Sequence, residues 1–289
     1  MLDFDTFYKS FTGESARLGL DGPSILPSSS ISLYDEIDST NSELLRQLQE
    51  KGFLPSFTLA AAACQTAGRG RIGRRFYSPA QDGIYFSFIY APEKGVTVPG
   101  RCTVSAAVAV CRAIDSLYGI HSGIKWVNDV YISGRKVCGI LTEGWSPAPA
   151  QGERPLIKAA VIGIGINIRA GCLPEELANK AAGVADMALQ LGCPPDRAGS
   201  VSREMILAYC MANVIGILTR GEDILSEYSS RSILTGREVT VIPIVGDERG
   251  RYKARVLGIG ENLSLRVRTQ DGQEKEISSG EVSLKLTEQ

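Results

Sequence analysis

The chain has 289 residues, 31 basic against 32 acidic side chains, a formal net charge of -1 and 44% hydrophobic residues. This length predicts one large domain plus a smaller one, and the composition excludes a disordered chain. The near-neutral charge gives no global signal for nucleic acid or an anionic membrane, and no apolar run approaches transmembrane length.

Residues 1–30 combine Gly, Ser and Pro without strong periodicity and are expected to form an irregular lead-in, while Asp3 and Asp5 do not suit a signal peptide. Ile31–Ile37 reads as a strand. Thr40 and Glu43 have the spacing of a capping box ahead of Leu44, Leu45 and Leu48, and Gly52 stops that helix. Phe57–Ala63 is a second apolar strand and Ile84–Tyr90 a third. The stretch from Cys64 to Gly83 is too polar for a core element and is expected to be a long functional loop.

From Arg101 to Tyr118, Val104, Ala107, Val108, Cys111, Ile114 and Leu117 recur at helical spacing, and Gly119 closes the helix. Asp129–Ser133 and Lys136–Thr142 flank Gly134-Arg135 as a hairpin, and Leu156–Ile168 is a long strand after a Pro/Ala-rich loop at 145–155. These elements predict a strand-rich central domain with helices on one side. Met205–Leu218 is the clearest later helix. Beyond Gly236, Val239–Ile242, Tyr252–Ile259, Leu263–Val267 and Lys275–Ser278 read as short strands with turns at Gly246–Gly250 and Asp271-Gly272, which predicts a small β-barrel. The expected division is a lead-in over 1–30, a main domain over 31–234 and the barrel over 235–289.

The seven cysteines are scattered, with no Cys-x-x-Cys pair, so neither a disulfide framework nor a zinc site is suggested and a reducing cytoplasm fits. The one histidine, His121, lies in a turn between Gly119 and Gly123 and is read as structural or solvated.

Three clusters carry chemistry. The first, Gly68-Arg69-Gly70-Arg71-Ile72-Gly73-Arg74-Arg75-Phe76-Tyr77-Ser78-Pro79, opens on a literal G-x-G-x-x-G. A dinucleotide-binding turn needs a helix next, whereas Pro79 and then a strand follow here. A basic cluster also reads as a solvated face or a nucleic-acid contact. Glycines interleaved with arginines point to something narrower, a backbone that approaches a ligand closely beside guanidiniums that grip phosphate or carboxylate.

The second cluster is Lys125-Trp126-Val127-Asn128-Asp129, followed by Cys138-Gly139-Ile140-Leu141-Thr142-Glu143. An ammonium beside an amide and a carboxylate suits an anionic reactant and a metal-bound nucleotide, against the plainer reading of a surface charge. In the third, Gly163-Ile164-Gly165-Ile166-Asn167, glycines alternate in an apolar strand, which marks either a ligand's close approach or tight strand packing.

Together with Ser39-Thr40-Asn41 and Gln65, these clusters resemble, in order and spacing, the catalytic domain of biotin protein ligases over roughly residues 31–289. The resemblance implies an α+β fold, a mixed sheet with helices packed on it as in class II synthetases, and a small C-terminal barrel of the Src-homology-3 type. It makes 31–234 the catalytic domain that binds biotin and ATP. It implies that Ser39, Thr40, Asn41, Gln65, Gly68, Arg69, Gly70, Arg71 and Gly139 surround biotin and its adenylate, with Tyr85 lining the biotin pocket. Lys125 would contact the biotin carboxylate and the α-phosphate, with Arg69 and Arg71 also catalytic. Phe76, Asn128, Asp129 and Asn167 would contact the nucleotide, with Asn128 and Asp129 alternatively contacting its metal or the carrier lysine. Phe76 stands where the family commonly has Trp, and Val127 where it has Pro.

The implied reaction joins biotin to ATP, with Mg2+ arriving on the nucleotide rather than at a protein-only metal site, and then transfers biotin to a lysine of the biotin carboxyl carrier protein of acetyl-CoA carboxylase or a related carboxylase. The alternative is a lipoate- or octanoate-protein ligase of related fold. The arginine-glycine loop with its Ser78-Pro79 and the Lys125–Asp129 run favour biotin. Some biotin protein ligases bind DNA through an N-terminal winged helix. Only about 30 residues precede the catalytic domain here, too few for that module, so no DNA binding is expected. A cytoplasmic enzyme without a membrane anchor is expected, with a homodimer open.

Overall fold

The computed structural model describes residues 2–80, 82–147, 156–171, 173–242, 250–278 and 281–283. Helix α1 (Phe4–Arg17) and the single turn α2 (Gly22–Ile25) precede β1 (Ile31–Ile37), α3 (Thr40–Lys51), β2 (Leu59–Gln65) and β3 (Gly83–Tyr90). The long helix α4 (Pro99–Tyr118) leads to β4 (Gly123–Lys125), β5 (Asp129–Ile132), β6 (Arg135–Trp145) and β7 (Ala159–Asn167). Helices α5 (Val184–Gln190), α6 (Pro195–Ser200), α7 (Arg203–Arg220) and α8 (Leu225–Ser230) follow. The last elements are the short strands β8 (Glu238–Ile242), β9 (Tyr252–Ile259), β10 (Leu265–Thr269), β11 (Glu274–Ile277) and β12 (Glu281–Ser283).

Residues 1–30 are not the irregular lead-in that their composition predicts. Asp3 caps α1 by accepting from the Thr6 N–H at 2.7 Å, and Phe7 and Phe11, four residues apart, are fully buried on one face. The helix docks on α7: Asn213 Nδ2 donates to Glu14 Oε1 at 3.5 Å, and Arg220 donates to the Leu18 carbonyl at 2.7 Å. Ser10, Gly13 and Ser15 within the helix, and the Gly, Ser and Pro residues after it, mask its short apolar face.

Strands β1 to β7 form one sheet in the order β1-β2-β3-β7-β6-β5-β4, with β1 parallel to β2 and the remaining neighbours antiparallel. β3 and β7 are buried along nearly their whole length, so both faces of the sheet need cover. Ile84, Phe86, Phe88, Ile162, Ile164 and Ile166 join a core that includes residues of α4 and α7, while Leu44 and Leu48 of α3 pack with Ala60, Ile89 and Val161 on the other side. Helices therefore lie on both faces, not on one as expected. Truncating Leu44 to Ala would cost about 2–5 kcal/mol by opening a cavity there.

Local chemistry explains the remaining boundaries. Ser39, not Thr40, is the N-cap of α3, accepting from the Ser42 N–H at 3.5 Å, and Gly52 ends the helix at φ 71°. Ser133 and Gly134, at φ 47° and 79°, make the tight turn between β5 and β6. β7 starts at Ala159 rather than Leu156, and β10 at Leu265 because Leu263 is held at φ 62° in the preceding turn. The C-terminal strands form an antiparallel sheet in the order β11-β10-β9-β8-β12, with one strand more than the sequence suggests. Most of the expected loop at 145–155 and of the turn at Gly246–Gly250 lies outside the described residues.

Candidate active site

On the sheet face that carries α3, a cleft of about 470 Å³ opens between the start of α3, the end of β2, the arginine loop and the middle of β6 and β7. It gathers Ser39, Thr40, Asn41, Gln65, Arg69, Gly70, Arg71, Phe76, Asn128 and Gly139, all expected from the sequence. Gly163 and Gly165 also line it. Their Cβ positions show why glycine is needed: a side chain at 163 would collide with the Asn41 amide, and one at 165 would lie 2.5 Å from the Phe76 ring. The alternating glycines thus serve close approach, by the Asn41 amide and by the aromatic ring that covers this part of the sheet.

One end of the cleft is a hydrogen-bonding network of amides and hydroxyls that ends on an ion pair. Gln65 Oε1 accepts from the Thr40 N–H at 2.9 Å, and its amide donates to Ser78 Oγ at 3.0 Å. The Thr40 hydroxyl lies 2.6 Å from Ser87 Oγ, which donates to Asn41 Oδ1 at 2.5 Å. Asn41 Nδ2 donates to Glu143 Oε2 at 2.9 Å, and Arg69 closes the chain on Glu143 Oε1 at 2.7 Å. Ser39, Thr40, Asn41 and Ser87 are buried, so each unmade bond here would cost about 1–3 kcal/mol and the network is held rigid.

The arginine loop is shaped by its own backbone. The Phe76 N–H donates to the Gly68 carbonyl at 2.9 Å, and the Gly70 N–H to Arg74 at 2.7 Å. Gly68 does not line the cleft. A side chain there would collide with the Phe76 carbonyl and with Ser78, so its smallness sets the loop's fold. Arg71 donates to Asn128 Oδ1 at 3.1 Å, and Asn128 Nδ2 donates to the Ile140 carbonyl at 2.9 Å, which ties the loop to β6.

The other end is cationic and passes into a second cleft of about 670 Å³. Here the structure places two lysines, the expected Lys125 and Lys136. Lys136 lines both clefts, whereas Lys125 lines the second and not the first. A Cβ on Gly139 would lie 3.2 Å from Lys136 Nζ, and the same ammonium pairs with Asp129 Oδ1 at 2.6 Å. Lys125 Nζ stands 6.0 Å above the Tyr131 ring, whose phenol is pushed up to about 12 by burial and by the neighbouring Asp129 charge. Lys136 and Glu143 stand on the strand that also bears Gly139, outside the Lys125–Asp129 run that the sequence singles out.

Two further expected residues do not line either cleft. Tyr85 is buried behind Phe76, ring edge to face at 6.2 Å, and its hydroxyl donates to the Pro79 carbonyl at 3.0 Å. Burial raises its phenol pKa. Asn167 ends β7, buried opposite Gly83. His121 is largely exposed, 3.6 Å from Asp115. Cys64, Cys102, Cys111, Cys138, Cys193 and Cys210 are free thiols, and no cluster of three His, Cys, Asp or Glu side chains suits a metal among the described residues.

A family model described as "Biotin/lipoate A/B protein ligase family" matches residues 33–167. The chain is 31% identical over 255 residues to the bifunctional ligase/repressor BirA of Bacillus subtilis, an alignment that covers 87% of this chain and 73% of that protein. The chain belongs to the biotin/lipoate A/B protein ligase family. This family member is also 30% identical over 207 residues to the biotin acetyl-CoA-carboxylase ligase of Mycobacterium tuberculosis, covering 70% of this chain and 71% of the other. Its fold matches the biotin protein ligase from Aquifex aeolicus in complex with biotin and ATP at a TM-score of 0.68 and 26% identity, over 88% of this chain and 97% of that one. The mixed sheet with its small C-terminal antiparallel sheet thus matches the fold of that biotin protein ligase.

Proposed function

We propose that this family member is an ATP-dependent biotin protein ligase that forms biotinyl-5'-AMP from biotin and ATP and transfers the biotinyl group to a lysine of a biotin carboxyl carrier protein. The observation that carries this reading is the polarity of the first cleft, amide- and hydroxyl-rich with its one ion pair closed on itself at one end and cationic at the other. A cyclic urea offers two N–H donors and a carbonyl, which match the Thr40, Asn41 and Gln65 network, while a carboxylate tail needs the cationic end. A dithiolane ring carries neither N–H donors nor a carbonyl to exchange with this amide- and hydroxyl-lined end, so lipoate is the weaker candidate.

In the first step the biotin carboxylate oxygen attacks the α-phosphorus of ATP and pyrophosphate leaves. Lys136 and Arg71 are positioned to stabilise the negative charge that builds on the transferring phosphoryl group, and fixed cations of this kind need no reorganisation. Arg74, Arg75 and Lys125 line the second cleft and suit the departing polyphosphate. Phe76 offers an aromatic face to adenine. In the second step the carrier amine displaces AMP.

Asp129 and Asn128 are the oxygen donors in the second cleft, and one carboxylate fits a magnesium ion that arrives on ATP phosphates better than a resident one. Bound there, it would neutralise polyphosphate charge. The proposal includes a cytoplasmic location, supported by free thiols, and no helix among the described residues is long and apolar enough to cross a membrane.

Mass spectrometry of a carrier domain incubated with this protein, ATP and either biotin or lipoate tests the reading. A mass gain with biotin alone is expected. A gain with lipoate alone would reverse the substrate assignment.

A further inference from the structure

Arg71 and Asn128 stand where three clefts meet, since both side chains line the first cleft, the second, and a third of about 630 Å³. The third runs between the first turn of α4, at Gly100 and Thr103, the Trp126-Val127 segment, Thr142 of β6, and Ser278 just after β11. On the ligase reading, on which this inference rests, three reactants converge on one centre: a carboxylate, an α-phosphate and an amine. The first two are accommodated by the first and second clefts. We infer that the third cleft is the channel by which the carrier's lysine amine reaches biotinyl-adenylate.

Its lining separates it from the second cleft. There, Arg71, Arg74, Arg75, Lys125 and Lys136 face the single carboxylate of Asp129, an environment that welcomes phosphates and repels an ammonium. Among the described residues the third cleft has one cation, Arg71, beside the Asn128 amide, and its walls are otherwise apolar or hydroxyl-bearing. The attacking species must be the neutral amine. Apolar walls and the Arg71 charge both disfavour the ammonium form, so a lysine sliding inward gives up its proton to water before it meets the anhydride. Thr103 Oγ1 donates to Thr142 Oγ1 at 2.8 Å, which fixes two hydroxyl oxygens as acceptors for the remaining amine hydrogens.

At the centre the amine nitrogen bonds to the biotinyl carbonyl carbon, and the bond from that carbon to the phosphate oxygen breaks. AMP departs with the electron pair, and the extra proton on the new amide nitrogen passes to water. No redox partner or metal step is needed.

The two half-reactions separate this channel from the activity it serves. Gly100 has open space at its Cβ position, so Gly100→Phe should be accommodated and should narrow the cleft. Ser278→Trp narrows it from the opposite wall. Biotin-dependent exchange of pyrophosphate into ATP reads the first step, and transfer from supplied biotinyl-adenylate to a carrier domain reads the second. Both variants should keep exchange within about twofold of wild type and lose at least about tenfold in transfer. Transfer within about twofold of wild type in both variants would overturn the channel, as would an equal loss of exchange and transfer, which would assign the cleft to the nucleotide. No exchange by the wild-type protein would instead sink the ligase reading, and the channel with it.

Discussion

Lys136 Nζ lies 2.6 Å from Asp129 Oδ1 across the β5/β6 hairpin, and both side chains face the cleft that Arg71 and Asn128 also line. The carboxylate holds the ammonium over Gly139, where the two clefts join. Lys136→Ala should therefore lower biotin-dependent pyrophosphate exchange by about 100- to 1,000-fold, the loss typical of one fixed donor to a developing charge. Lys125→Ala, in the second cleft and not the first, should lose less and mainly raise the KM for ATP. Equal losses in the two variants would return Lys125 to the reacting centre.

Phe76 covers the strand glycines, its ring 2.5 Å from where a Gly165 side chain would begin. Gly165→Ala should displace the ring, and Phe76→Ala should remove it. Both are expected to weaken ATP more than biotin, by about 1–3 kcal/mol for Phe76→Ala if base stacking sets the scale. Calorimetric titration of each ligand checks this, and unchanged ATP affinity in Phe76→Ala would remove the ring from the nucleotide site.

The segment between Lys125 and Asn128 is held from two sides. The Trp126 indole N–H donates to the Leu263 carbonyl of the C-terminal sheet at 2.9 Å, and the buried Tyr228 hydroxyl of α8 donates to the Val127 carbonyl at 3.1 Å. Tyr228→Phe keeps the ring packing and removes that one bond, at a cost of about 1 kcal/mol in stability. Because Asn128 follows directly and anchors Arg71, the variant should also raise the KM for ATP while leaving biotin affinity unchanged. A lowered unfolding midpoint with normal KM values would make Tyr228 structural only.

The arginine loop and the strand glycines were legible in the sequence because close approach is a local demand: the Phe76 carbonyl meets Gly68, the Asn41 amide Gly163 and the Phe76 ring Gly165. β1 and α4 were legible because periodicity alone defines them. The place of Lys136 in both clefts was not, since it depends on how the hairpin brings β6 beneath Phe76. Helix α1 was hidden because only Phe7 and Phe11 mark its buried face, and its stability comes from docking on α7. The two-sided cover of the sheet was present in the unbroken apolar runs of β3 and β7, which one face of helices could not bury.

The last prediction concerns pH and the support beneath Tyr228. Its neighbour Glu227 accepts from Arg112 Nη2 at 2.6 Å and from Arg231 Nε at 3.0 Å, while Arg231 also reaches Asp115 at 2.7 Å. Burial alone would raise the Glu227 carboxyl, but the two guanidiniums outweigh it and hold the group below its ordinary value. A carboxylate whose folded pKa is depressed binds protons more readily in the unfolded chain, so its contribution to stability is complete above the unfolded pKa and is lost as pH falls through the folded one. Glu227→Gln removes the titration and keeps the shape. The urea midpoint of wild type should exceed that of the variant at pH 7, and the gap should close on acidification below about pH 4. Since α8 carries both residues, the variant at pH 7 should also show a raised KM for ATP through a shifted Tyr228. A gap in urea midpoint that stays constant from pH 7 into acid would show that the charge pairing at Glu227 does not support α8.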